Sequence, residues 1–123
     1  MSNQSMTVQG IYACAAAADF ERTVAWYSKF MGRAPDDQPM PGMAQWRNMG
    51  AAGIQVWYEP EHAGHSRLTI VAPDMTREHA RLESDGISLG EVISGDFGKV
   101  AQLTDPEGNR IALTEPPKGF VNR

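Results

Sequence analysis

Two imidazoles three residues apart, His62 and His65, follow two acids in the segment Glu59-Pro60-Glu61-His62-Ala63-Gly64-His65. A pair at that spacing in a helix or turn can ligate a divalent metal, because imidazole nitrogen and carboxylate oxygen are both metal donors. Pro60 and Gly64 interrupt the segment, so solvated linker residues are the favoured reading. Cys14 is the single cysteine. Its thiol is a nucleophile if a cation or base lowers its pKa, and a small packing residue of an alanine-rich strand if nothing does, which is the favoured reading. The third place is the turn Asp105-Pro106-Glu107-Gly108-Asn109, which runs straight into Arg110-Ile111-Ala112-Leu113-Thr114. A metal enzyme built on that strand would want a carboxylate there, and none is present.

These residues need elements to hold them. Asp19 precedes Phe20, Val24, Tyr27 and Met31, a four-three-four spacing that predicts one helix face, with Asp19 as N-cap and Gly32 as terminator. Asp74 precedes Met75, His79 and Leu82 in the same way, and Gly86 closes that second helix. Short runs of β character separated by Gly, Pro, Asn and Asp predict strands at Val8 to Cys14, Met43 to Met49, Ile54 to Tyr58, Arg67 to Val71, Ile87 to Ile93, Lys99 to Thr104 and Arg110 to Thr114. The two caps lie 55 positions apart, the two closing glycines 54, and the pairs Glu59-Pro60 and Glu115-Pro116 lie 56 apart. Three unrelated signals at nearly one offset indicate an internal duplication. Each half reads as strand, helix, then two or three strands, and such a unit must pair to cover its sheet.

Composition sets the outer bounds. A chain of 123 residues buries about two thirds of its unfolded surface, enough for one core without disulfides or structural metal. Scattered basic residues, 11 against 15 acids for a net charge of −4, argue against a nucleic-acid partner. The polar start MSNQSMTVQ does not read as a secretory signal, and the apolar run in YACAAAADF is too short to span a bilayer. The expectation is a cytoplasmic protein with no membrane partner.

The pattern resembles the vicinal oxygen chelate superfamily, which includes glyoxalase I, extradiol dioxygenases and the bleomycin- and fosfomycin-resistance proteins. Two motifs carry the likeness: Asp19-Phe20-Glu21-Arg22-Thr23-Val24-Ala25-Trp26-Tyr27 running to Met31-Gly32, similar to the family's first helix, and Asp105-Pro106-Glu107-Gly108-Asn109, similar to its turn before the last strand. The resemblance implies an α+β fold. Two βαβββ modules, about 6–60 and 65–117 of a single domain 1–123, would form a curved mixed sheet around a cavity, usually in a homodimer. It also implies where metal ligands would sit: on the opening strands at Tyr12 and Arg67, and on the closing strands at Val56 and Ala112. None is His, Asp or Glu, and moving one place to Gln55, Trp57, Ile111 or Leu113 supplies no carboxylate. A phenol, a guanidinium and two hydrocarbons do not hold a divalent cation.

With those four positions taken as inward, strand alternation adds Cys14, Ile54, Tyr58, Thr69, Arg110 and Thr114 to the cavity side. It turns Ile11, Leu68, Ile70, Ile111 and Leu113 under the helices. A repeat offset of 56 pairs Trp46 with Gln102 and places both inward. The expected ligand-binding residues are therefore Tyr12, Trp46, Tyr58, Arg67 and Gln102, with no metal, no cofactor and no catalytic residue; Trp26 and Trp57 are assigned to packing. Aromatic walls with one cation and a few neutral polar groups suit a small-molecule site. The leading expectation is a metal-independent glyoxalase-like homodimer that binds, and by binding sequesters, an antibiotic or metabolite. One alternative is a lyase, isomerase or dioxygenase of the same superfamily whose metal is held by an atypical set that includes His65. The other is a non-catalytic protein-interaction domain.

Overall fold

Asp19 starts the first helix by accepting a hydrogen bond from Arg22 N (3.2 Å), which satisfies one of the free amides of the first turn. Gly32 ends it at φ +80°, a left-handed conformation that costs glycine nothing. In the computed structural model, which describes residues 6–119, strand β1 (Ile11–Ala17) feeds this helix α1 (Phe20–Met31), and strands β2 (Asp37–Met40), β3 (Met43–Met49) and β4 (Ala52–Tyr58) complete the first module. A single 3-10 turn at Pro60–His62 leads to the second, formed by β5 (Arg67–Val71), α2 (Met75–Ser84), β6 (Ile93–Gly95), β7 (Gly98–Thr104) and β8 (Arg110–Glu115). Asp74 caps α2 through Arg77 N (3.1 Å). Beyond its end, Ile87 N bonds Leu82 O (2.9 Å) and Gly86 N bonds Glu83 O (3.0 Å), a paired closure that buries Ile87.

The duplication is written in the topology. Both modules form a four-stranded sheet of the same order, β1-β4-β3-β2 and β5-β8-β7-β6, with one parallel pair and two antiparallel pairs each. One hydrophobic core runs through both and includes Tyr27, Phe30, Trp46, Val56, Met75, Leu82, Ile111 and Leu113. No helix among the described residues is long and apolar enough to cross a membrane.

Three strand expectations need correction. The first strand runs Ile11–Ala17 rather than Val8 to Cys14, because small Ala15 and Ala17 are the residues that fit beneath α1. The run Ile87 to Ile93 yields only Ile93–Gly95, since Ile87 is used to close α2 and Gly90 bends in to reach Gln102 O (2.9 Å). Strand Asp37–Met40 was not expected, because its Pro39 fits only an edge strand.

The turn Asp105 to Asn109 joins the modules. Asn109 is fully buried: its Oδ1 accepts from Gly64 N and Ser66 N (both 2.9 Å), and its Nδ2 donates to Ala16 O and Asp105 Oδ2 (both 2.8 Å). Glu107 caps α1 of the other module, accepting from Ala18 N (3.0 Å), Asp19 N (2.7 Å) and Thr23 Oγ1 (3.0 Å). Asp105 accepts from Tyr27 Oη at 2.8 Å across 78 residues of sequence.

Burial, reinforced by the Asp105 charge and hydrogen bond, pushes the Tyr27 phenol far above its ordinary value of 10.0. Because the folded pKa is raised, Tyr27 contributes stability that is fully present below about pH 10 and lost as pH rises further, where the unfolded chain sheds the proton first. The expected result is a wild-type stability that falls more steeply than that of Tyr27→Phe above pH 10, by up to about 1.4 kcal/mol per pH unit. Urea unfolding of both proteins between pH 8 and 11.5 measures it, and parallel curves would remove Tyr27 from the account.

Candidate functional site

Each sheet has one face under the helices and one facing away from them, and burial tells them apart. In the second sheet Leu68, Ala101, Leu103, Ile111 and Leu113 are buried in the core, so Arg67, Thr69, Gln102, Arg110, Ala112 and Thr114 occupy the other, inner face. That matches the alternation expected from the sequence. In the first sheet Ala15, Ala44, Trp46, Ile54 and Val56 are the core residues. The inner face there carries Tyr12, Cys14, Gln45, Gln55 and Trp57.

The structure thus brings Tyr12, Arg67 and Gln102 to inner sheet faces and sets Trp46 and Tyr58 on the opposite side. Trp46 is 0% exposed, packs its ring 6.3 Å from that of Tyr27, and donates Nε1 to Arg33 O at 2.9 Å. Val56 is likewise fully buried, and Tyr58 is exposed at the outer end of β4. Both misplacements are one slip of register: Val56, taken as inward from the resemblance, carried Tyr58 with it, and the offset of 56 carried Trp46. Tyr12 and Arg67 are equivalent at an offset of 55, as the helix caps are, but Gln55 pairs with Cys14 and Gln45 where Ala112 pairs with Thr69 and Gln102, an offset of 57. The second module has two more residues between helix and third strand. A uniform offset of 56 is one residue out on β3 and β4, and a one-residue slip turns every side chain to the other face.

Sequence reasoning therefore missed Trp57, Gln55 and Gln45. They form a polar network: Gln55 Oε1 accepts from Trp57 Nε1 (2.8 Å) and the Cys14 thiol (3.5 Å), and Gln55 Nε2 donates to Gln45 Oε1 (2.9 Å). The signal was present in the alternation of Ile54 and Val56 with Gln55 and Trp57. Tyr12 lies flat over Gly53, where a Cβ would meet its Cε2 at 2.5 Å, so the missing side chain is what lets the ring sit there. Burial, then the charge of Glu59, raises the Cys14 pKa against a smaller lowering by Trp57. The thiol is therefore held protonated, the reverse of an activated nucleophile.

His62 and His65 are exposed, and among the described residues no three side chains of His, Cys, Asp or Glu converge on a point. The inner face offers a phenol, amides, an indole, a thiol and guanidinium groups: hydrogen-bonding and stacking chemistry rather than a hard-cation donor set. Two clefts lie away from these faces. One of about 460 Å³ lies beside α1 at Arg22, Trp26, Lys29 and Pro106, and one of about 370 Å³ lies between the helices at Met31, Arg77, Leu82 and Leu113.

A family model described as a glyoxalase-like domain matches residues 12–114. Among solved structures, a glyoxalase/bleomycin resistance protein from Catenulispora acidiphila DSM 44928 is 26% identical at a TM-score of 0.82, covering 89% of this chain and 100% of its own. An antibiotic-binding protein from Streptomyces sp. CB03234, TnmS3, is 24% identical at 0.71, covering 94% and 99%. The bleomycin-binding protein of Streptomyces verticillus, complexed with copper(II)-bleomycin, is 17% identical at 0.72, covering 90% and 98%. No curated protein matches the chain.

Proposed function

Because the chain belongs to the glyoxalase-like domain family of the vicinal oxygen chelate superfamily, we propose that it binds a small, partly aromatic organic molecule on its inner sheet faces, without a metal, and acts by sequestering it. The observation that carries this reading is the chemistry of the inner face. The positions at which the superfamily resemblance implies metal ligands hold Tyr12 and Arg67 on the opening strands and Val56 and Ala112 on the closing strands; Val56 lies in the core, and its neighbours Gln55 and Trp57 take the inner face instead. None of these is an imidazole or a carboxylate, while a flat phenol, an indole, amides and a guanidinium suit an organic ligand. The antibiotic- and bleomycin-binding proteins of the same fold support the same class of ligand.

The proposed assembly is a homodimer. Val92 and Phe97 stand exposed beside β6, the edge strand of the second sheet. An unpaired edge with apolar side chains beside it is covered most economically by a second copy. The proposed setting is the cytoplasm.

The test is metal content of protein purified without chelator or affinity tag, together with calorimetric titration of Ni, Zn, Mn and Fe(II) and a thermal-shift screen of planar aromatic and amphipathic compounds. The expected result is substoichiometric metal, no heat of metal binding, and stabilisation by members of the organic set. One metal per chain would replace this reading with a metal-dependent lyase, isomerase or dioxygenase.

A further inference from the structure

We infer that Arg67 and Arg110 form an oxyanion-binding end of the inner face, so that the ligand is an elongated aromatic or amphipathic molecule carrying a carboxylate or phosphate at one end. The inference deepens the small-molecule reading and rests on it. Arg67 and Arg110 are direct partners on the parallel strands β5 and β8. Their side chains leave the same face of the sheet from backbones about 4.8 Å apart. Both residues are exposed, and neither has an acidic partner among the described residues. Arg33, Arg47 and Arg81 have carboxylates at 3.2, 3.8 and 3.0 Å; Arg22 and Arg77 also lack one among the described residues but stand singly on the two helices, not side by side on paired strands.

Two like charges set directly opposite one another weaken a sheet. This chain has 15 acids and a net charge of −4, yet no strand position on the inner face of the second sheet holds one of them. An excess of acid kept off the one face that bears two adjacent guanidiniums leaves them available to an external anion. Planar guanidiniums match carboxylate and phosphate oxygens in paired hydrogen bonds, which fixes orientation as well as adding affinity.

The rest of the face grades away from this charge. One row further along, Gln102 and Thr69 flank Ala112. Two rows along, Val71 and Val100 flank Thr114, with Ile93 beside Val100. Four residues at about 3.3 Å each separate the arginine row from this apolar row, a span of about 13 Å. The ligand that fits has its anion at one end, an apolar body at the other, and roughly the length of a biphenyl carboxylate.

Isothermal titration with biphenyl-4-carboxylate and biphenyl-4-carboxamide tests it on the full chain, as wild type, Arg67→Gln and Arg110→Gln. A parallel arm follows thermal stability against inorganic phosphate at constant ionic strength. Both arginines are exposed, and circular dichroism verifies that the variants fold. The expected result is at least a tenfold preference of wild type for the carboxylate, reduced to within about twofold in either variant while the carboxamide still binds. Phosphate is expected to stabilise wild type and not the variants. Equal binding of the two compounds would overturn the anion site and leave the small-molecule reading standing. Neither compound binding, with no phosphate effect that the variants lose, would overturn both.

Discussion

Replacing Asn109 with alanine is expected to destabilise the protein by about 4 kcal/mol. Asn109 is fully buried and uses its side chain completely, accepting two backbone amides and donating to one carbonyl and one carboxylate. Truncation leaves Gly64 N, Ser66 N and Ala16 O without that partner and removes one donor from Asp105. Each buried group left unmade costs about 1–3 kcal/mol, and water entering the vacated space offsets part of the sum. Against a total stability of about 5–15 kcal/mol the protein would be close to unfolding. A fall in melting temperature of about 15 °C follows for a domain of this size. Chemical denaturation of wild type and Asn109→Ala measures it; a loss below about 1 kcal/mol would mean that the turn does not join the modules.

The Asp105 to Asn109 turn also shows what the sequence could and could not convey. The motif identified the superfamily, and it draws attention as the approach to a strand where metal ligands are expected. Its side chains in fact do structural work: Glu107 caps the helix of the other module, and Asn109 bridges β1 to the linker. Those contacts span 88, 89 and 93 residues, and no local periodicity reports them. What was legible was local. Both helices, their Asp caps and their glycine ends follow from 3.6-residue spacing and cap chemistry, and the duplication followed from repeated punctuation. The inner face of the second sheet was legible too, because Ile111 and Leu113 alternate cleanly with Ala112 and Thr114. The first sheet was not, because Trp57 and Tyr58 are adjacent large aromatics on β4. Either can be taken for the wall of a pocket, and the choice passed to Val56, which the resemblance set inward one residue out of register.

The face assignment makes a second large prediction, which sets two tryptophans of one sheet against each other. Trp46→Ala is expected to destabilise the protein by about 3–5 kcal/mol, since it removes a fully buried indole packed against Tyr27 and leaves Arg33 O without its donor. Trp57→Ala is expected to cost about 1 kcal/mol or less. Trp57 is only partly buried, and its loss breaks one hydrogen bond, to a glutamine that keeps other partners. The order reverses for binding: Trp57→Ala should weaken at least tenfold the planar aromatic compounds that stabilise the protein in the thermal-shift screen, as removal of a stacking wall does. Trp46→Phe, which keeps a ring in the core and the fold intact, should leave affinity within about threefold. Urea unfolding and titration on the three variants separate the two orders. If Trp57→Ala destabilised as much as Trp46→Ala and bound ligand normally, the inner face would be the one bearing Trp46, and the slip of register inferred from strand pairing would be wrong. If the pattern holds, the ligand site begins where the alternation of Gln55 and Trp57 places it. The two modules then divide the labour: one sheet supplies an aromatic wall and the other the pair of cations.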